Sequence, residues 1–395
     1  MTTIIEEVLK LKDYTIQQRR DFHRHPELGF EEHRTAGIVA KTLEDLGMEV
    51  TTGVGKTGVV GLLHGQTESP VVMLRFDMDA LPILEENEVD YASEEPGKMH
   101  ACGHDSHMAV GLTVAKILAA RKESLPGTIK FVFQPAEEGA GGGERVVSEG
   151  VLENPKPDYV VAMHVWNEKP VGWFGLATGP VMAGSEIFKV TVTGKGGHGA
   201  APHHSVDPIA ASAQIITALQ TVVSRTVNPL DKAVLSVCRV DAGTAFNIIP
   251  QQAVLYGTIR TFKPKVRSKI NERFVEIVNG VAAAMGCTAE IEIKEVTFPV
   301  VNDPDVTREL KAVVGELLPN ATVDTDYQTM GSEDFSFFCQ HIPGCFMFVG
   351  SANKEKGLDF GHHHPRFNID EECLPPAAAV IAQSAISLLK KHKKS

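Results

Sequence analysis

The chain has 395 residues, 43% of them hydrophobic, more than a single core usually serves, so two domains are expected. A formal net charge of -12 offers no basic field to phosphates and argues against nucleic acid and anionic lipid as partners. The six cysteines (Cys102, Cys238, Cys287, Cys339, Cys345 and Cys373) are scattered without a C-x-x-C pair, which fits a reducing, cytoplasmic setting.

The N-terminal stretch has no basic segment followed by a sustained apolar one, and no later run reaches the roughly 20 apolar residues of a spanning helix, so neither export nor membrane insertion is expected. Apolar residues at helical spacing from about Thr3 to Gly47 predict two helices, with Gly47 as the stop. Short β-rich runs follow at Val59–Leu63, Val71–Phe76, Ile129–Phe133 and Tyr159–His164, interrupted by a helix from about His107 to Arg121. Such alternation predicts an α/β sheet covered by helices. From about Ala183 the pattern changes. Strands at Ile187–Thr193, Val234–Val240, Ala253–Thr261 and Ala289–Val296 and helices near Pro208–Thr226 and Lys265–Met285 give a βαββαβ order, that of a small open-faced α+β sandwich inserted into the first domain. This sets boundaries of 1–183 plus 300–395 for the outer domain and 184–299 for the insert. After Asn302 come helices and short strands, ending in an Ala-rich amphipathic helix over Pro375–Lys391.

The residues able to do chemistry fall just past the predicted strands, where open α/β sheets place their ligands. Asp77 and Asp79 follow VVMLRF, Glu137 and Glu138 follow IKFVFQPA, and His164 closes DYVVAMH. In the loop MHACGHDSH, Cys102 and His104 form a C-x-H pair that could reach one metal or an adjacent pair, with bonds of about 2.0–2.3 Å; the competing reading is an inert thiol beside solvated histidines. Two adjacent carboxylates can divide labour, one binding metal and the other moving a proton, although a bare Glu-Glu is usually a solvated loop. The run HHHPRF at 362–367 supplies another imidazole, and spacing does not choose among the three. In the insert, His198 lies in a Gly-rich turn where an imidazole could polarise a carbonyl. Asn247 and Arg260 follow it, and the Arg fork suits a substrate carboxylate.

Eight ordered motifs carry a resemblance that runs over nearly the whole chain: RRDFHRHPELGFEEHRT (19–35), RFDMDALPI (75–83), MHACGHDSHMA (99–109), FQPAEEGAGG (133–142), GGHGAAPH (196–203), FNIIPQ (246–251), MGSEDFSFF (330–338) and HHPRFNIDEE (363–372). The chain thereby resembles the amidohydrolase branch of the aminoacylase/carboxypeptidase-type dinuclear metallopeptidases. The resemblance implies a mixed-sheet catalytic domain carrying a lid and dimerisation insert, a homodimer or higher homo-oligomer formed through that insert, and two divalent ions per subunit, zinc or manganese first, cobalt or nickel next. It assigns Cys102, His104, Glu138, His164 and His363 as metal ligands, with the Cys102 thiolate bridging. Glu137 becomes the general acid/base, Asp79 the carboxylate that orients a ligand, and His198 an oxyanion-holding residue that reaches the partner subunit's site. Asn247 and Arg260 match substrate-holding positions, and Gly331 to Asp334 match a loop framing the acyl pocket. Phe76 departs from the family pattern, which has a small residue there. The implied reaction is hydrolysis of N-acyl-L-amino acids. The alternatives are a dipeptide exopeptidase, an N-acetyl-diamino-acid deacetylase and a catalytically silent metal-binding relative.

Overall fold

Every residue of Val71–Asp77 and Thr128–Gln134 is buried, as expected of strands covered on both faces. The structure, a computed structural model, describes residues 3–392 and divides into two units. One holds the chain up to Val181 with Val301–Gln328 and Asp334 onward; the other holds Met182–Val300 with Thr329–Glu333.

The larger unit is built on a mixed eight-stranded sheet ordered Glu49–Val54, Gly58–His64, Thr128–Gln134, Val71–Asp77, Tyr159–Pro170, Gly344–Ala352, Trp173–Gly175, Thr322–Asp324. Its four central strands, from Thr128–Gln134 to Gly344–Ala352, run parallel, so their carboxyl ends open on the same edge. The first two strands pair antiparallel with each other, and the second of them, Gly58–His64, pairs antiparallel with Thr128–Gln134. Helix His104–Ala119 is buried along nearly all its length and shares the main core with Leu374–His392.

Three sequence expectations change here. The N-terminal segment forms three helices, Ile4–Lys10, Lys12–Arg24 and His33–Asp45, because Leu11 leaves helical geometry between the first two; Gly47 does take the left-handed conformation past the third. The helix expected to be amphipathic over Pro375–Lys391 is instead buried on nearly all sides. The segment Glu371–Lys391 is long and apolar enough to cross a membrane by length and composition, contrary to the sequence reading, but 78% of its most apolar window is buried inside the protein, which makes it a core helix. Phe76 is accommodated by a glycine: a Cβ on Gly111 would lie 2.8 Å from the Phe76 ring.

The smaller unit has a four-stranded antiparallel sheet ordered Ala233–Ala242, Gln252–Thr261, Gly184–Thr193, Thr288–Thr297. Side chains alternate along Gly184–Thr193, with Phe188, Val190 and Val192 turned into a core shared with Ile215 and Leu219 of helix Pro208–Thr226 and Phe274 and Val278 of helix Pro264–Ala284.

Candidate metal centre

The carboxyl ends of the parallel strands deliver most of the chemistry. Asp77 ends its strand, and Glu137 and Glu138 follow Gln134 by three and four residues. His164 is not terminal as expected, since its strand runs on to Pro170. Pairing with Val71–Asp77 stops at Arg75–Ala162, however, so His164 lies just beyond the last rung on that side. Between Cys102 and His104, Gly103 sits at φ 91. A Cβ there would fall 2.3 Å from Val165 Cγ2, so only glycine allows this turn. The following helix starts at His104 rather than His107, which puts His104 on its first turn.

These residues converge. Cys102 Sγ lies 3.5 Å from His164 Nε2, His363 Nε2 lies 3.2 Å from Glu138 Oε1, and His104 Nε2 lies 4.0 Å from the same oxygen. Ligand atoms within 4.8 Å of one another group as Cys102, His104 and His164, as Cys102, Glu138 and His363, and as His104, Glu137 and Glu138. Cys102 belongs to the first two groups. His104 Nδ1 donates to the Asp79 carbonyl at 2.8 Å, and its buried Nε2 has no hydrogen-bond partner among the described residues. Such an orphan is costly unless a cation takes it, and a set of thiol, imidazoles and carboxylates suits a borderline divalent ion. Of the three histidines at 362–364, His363 faces Glu138, while His362 Nε2 is turned to the Val165 carbonyl at 3.0 Å.

The electrostatics without metal fit the same picture. Burial, with Glu138 and Glu137 adjacent, holds the Cys102 thiol well above the ordinary thiol range. Burial opposes charge on His104, but Asp77, Asp79 and Glu138 outweigh it and carry the ring up to about 10. Burial, then His107 and His362, keep His164 well below its ordinary value. The bond to Glu138 raises His363.

Around the centre lies a buried polar frame that the sequence reading largely missed. Both carboxylate oxygens of Asp79 accept backbone amides, from Glu137 and Glu138, each at 3.0 Å. Asp77 accepts from His107 Nδ1 at 2.5 Å, while His107 Nε2 accepts from the Val165 amide at 3.0 Å, so both His107 nitrogens are committed. Arg75 donates to Asp77 at 2.6 Å and to Asp334 at 2.8 Å. Asp334, expected in a pocket-framing loop, is buried and also accepts from Gln134 Nε2 at 2.9 Å and the Gly143 amide at 2.6 Å. Behind His104, Asp105 accepts from Arg19 at 2.9 Å and from His23 at 2.8 Å. The available signal was the spacing of His104 and His107, one helical turn apart and therefore on one face, and a charged Arg75 inside an otherwise apolar strand.

In the smaller unit, His198 and Asn247 are exposed and lie beside each other, where Gly197–His198 pairs with Ile248–Ile249. His198 Nδ1 accepts from the Ala200 amide at 3.0 Å. Arg260 donates to the Ser332 hydroxyl, next to Gly331, whose carbonyl accepts from the Ala183 amide at 2.9 Å.

The sequence profile of Peptidase family M20/M25/M40 matches residues 73–387. The chain belongs to this family. It is 40% identical over 389 residues to thermostable carboxypeptidase 2 of Saccharolobus solfataricus, covering 98% of each chain. It is 41% identical over 387 residues to IAA-amino acid hydrolase ILR1-like 4 of Arabidopsis thaliana, covering 97% of this chain and 87% of the relative. The crystal structure of the Bacillus subtilis YXEP protein, a dinuclear metal binding peptidase from the M20 family, superposes with a TM-score of 0.84 at 36% identity, over 96% of this chain and 99% of that one. The chain is thus an M20 hydrolase with a mixed α/β catalytic fold.

Proposed function

We propose that the chain is a metal-dependent amidohydrolase that splits N-acyl-L-amino acids into a free amino acid and a carboxylic acid. One observation carries the reading: two of the three ligand groups share Cys102, His104 keeps a buried Nε2 with no hydrogen-bond partner among the described residues, and Glu137 joins the third group. Cys102, His104, Glu138, His164 and His363 would hold two divalent ions, zinc or manganese first, with cobalt and nickel also suited to these donors. When bound, such ions polarise a carbonyl and acidify water.

The protein's own groups do the rest. Glu137, its backbone fixed by Asp79, takes the proton of the attacking water and returns it to the leaving amine. His198, from the inserted unit of a second copy, steadies the developing oxyanion. Arg260 grips the substrate carboxylate, Asn247 its carbonyl, and Gly331 borders the acyl group. This makes the working form a homodimer or larger homo-oligomer, in a cytoplasmic setting. The similarity to a carboxypeptidase favours a second reading, in which the same machinery cuts dipeptides.

The experiment is release of free amino acid from parallel panels of acyl-amino acids and dipeptides, using protein stripped by chelator and reloaded with single metals. Activity on acyl-amino acids that vanishes with chelator and returns with metal is expected; cleavage of dipeptides only would move the assignment to the second reading. In the same assay Glu137→Gln is expected to lower kcat by about 10²- to 10⁴-fold with bound metal unchanged. Near-normal turnover of that variant removes Glu137 from the reaction.

A further inference from the structure

The segment PELGFEEHRT at 26–35 supplies no ligand and no group to the reaction described above, yet it reaches the loop that carries Glu137. Its residue Glu32 is fully buried and stands at the start of helix His33–Asp45, where an acidic side chain ordinarily caps the helix. It does not cap this one. Glu27 takes that task from outside the helix, accepting from the Arg34 amide at 3.0 Å and the Thr35 amide at 2.8 Å. Glu32 is left to point elsewhere: Oε1 accepts from the Ala136 amide at 2.9 Å, and Oε2 accepts from the Thr57 hydroxyl at 2.5 Å.

Ala136 immediately precedes the two catalytic-loop glutamates and sits at φ 55, a conformation a non-glycine residue keeps only when its surroundings impose it. With Glu32 on Ala136 and Asp79 on Glu137 and Glu138, three consecutive backbone amides are bound by two buried carboxylates. Gly29, on the same segment as Glu32, lets the loop come close, since a Cβ there would lie 3.1 Å from both Ala136 Cα and Cβ. Burial, opposed by the Thr57 hydroxyl, raises the Glu32 carboxyl above the ordinary range.

We propose that Glu32 is a positioning residue for the reaction: by holding the Ala136 amide in this left-handed turn, it sets where the Glu137 carboxylate stands. The inference rests on the reading of Glu137 as the proton-transfer group. A clamp on backbone amides needs an acceptor oxygen rather than a negative charge. Glu32→Gln retains that oxygen for Ala136, and its amide N–H can bond the Thr57 hydroxyl oxygen; Glu32→Ala supplies neither.

The test compares wild type, Glu32→Ala, Glu32→Gln and Thr57→Val for kcat, KM, metal content, thermal midpoint and hydrogen exchange of the 135–139 backbone in the metal-free protein. Glu32→Ala is expected to lower kcat by about 10- to 100-fold with KM and metal content within about twofold, as misplacement of a catalytic group does. It is also expected to speed exchange at Ala136 by at least about tenfold. Glu32→Gln is expected to recover kcat to within about threefold of wild type and to restore protection at Ala136, because it keeps the hydrogen bond. Glu32→Ala with wild-type kcat, or with a lower thermal midpoint as its sole change, overturns the proposal; so does a Glu32→Gln as slow as Glu32→Ala. If Glu32→Ala does not fold, Glu32→Gln and Thr57→Val decide. Loss of kcat in Thr57→Val with normal kcat in Glu32→Gln supports the clamp, and unchanged kcat in Thr57→Val sinks it. Wild type inactive on every amide overturns the role of Glu137 and this inference with it, whereas an active wild type matched by Glu32→Ala overturns the Glu32 assignment alone.

Discussion

The two units hold their candidate functional side chains in opposite ways. In the larger one, His104, Asp77, Asp79 and His164 are buried; His104, Asp77 and His164 are each aimed by a buried partner, and Asp79 by the Glu137 and Glu138 amides. In the smaller one, His198 lies exposed on a two-residue strand pairing and Asn247 exposed just before its partner strand, while Arg260 is half-buried and held by Ser332. The difference shows which cost each region bears. A ligand cluster must be pre-oriented against the repulsion of its own carboxylates, and only a dry, fully bonded frame does that. A residue that acts on a substrate arriving from solvent can be placed by its backbone alone.

This contrast can be broken, most sharply in the larger unit. Arg75→Met leaves Asp77 and Asp334 buried without their guanidinium, so chemical denaturation should show a loss of about 3–5 kcal/mol, accompanied by weaker metal retention. An unchanged denaturation midpoint would show that the frame is not what holds this region. In the smaller unit the expectation inverts. His198→Ala should leave stability within about 0.5 kcal/mol while kcat falls by about 100-fold. If His198 serves a second copy's site, co-expressing His198→Ala with Glu137→Gln should restore about one quarter of wild-type activity, since half of randomly paired dimers then carry one intact site. No recovery in purified mixed dimers would confine His198 to its own chain.

The smallest effect concerns protons. In the metal-free chain His104 is carried up to about 10 and the Cys102 thiol stands well above its ordinary range. A raised pKa means the protonated form persists at higher pH, and ligation requires neutral imidazole and thiolate. Loading metal at pH 8 should therefore release about two protons per site pair, and affinity should climb with pH towards 10. Calorimetry in two buffers of different ionisation enthalpy reads this count; no release would mean that both ligands are already deprotonated.

Much of the catalytic fold was legible because its strands are short apolar runs and its helices carry the 3.6-residue period. The long helix expected near Pro208–Thr226 has those ends in the structure, where Asp207 caps its start and Pro208 takes its first position. The extension of the His164 strand to Pro170 was not, since Asn167, Glu168 and Lys169 look like a turn. Glu137, Glu138 and His164 stood out through their positions at or after apolar strands, and Cys102 and His104 through their C-x-H spacing. Of the frame behind them, Asp77 and Asp79 also stood out by position after a strand, but Arg75, His107 and Glu32 did not. Arg75 and Asp334 are 259 residues apart, and Glu32 and Ala136 are 104 apart. A buried charge is indistinguishable from a solvated one until its partner is known, and no local pattern records a partner at that distance.

One feature of the sheet bears on how the chain is made. Gly344–Ala352 lies inside the sheet, hydrogen-bonded to Tyr159–Pro170 on one side and Trp173–Gly175 on the other, although more than 170 residues separate it from the first of these. During synthesis the ribosome releases Cys102, His104, Glu137, Glu138 and His164 long before that strand or His363 emerges. For that interval Tyr159–Pro170 presents an open edge, the kind of surface that recruits other strands. The inserted unit, nearly continuous from Met182 to Val300, has only local strands to gather and can complete its own core first. Nascent chains stalled between residues 300 and 344 are where chaperone demand and aggregation should concentrate, and the candidate group of Cys102, Glu138 and His363 can assemble only once His363 has left the tunnel.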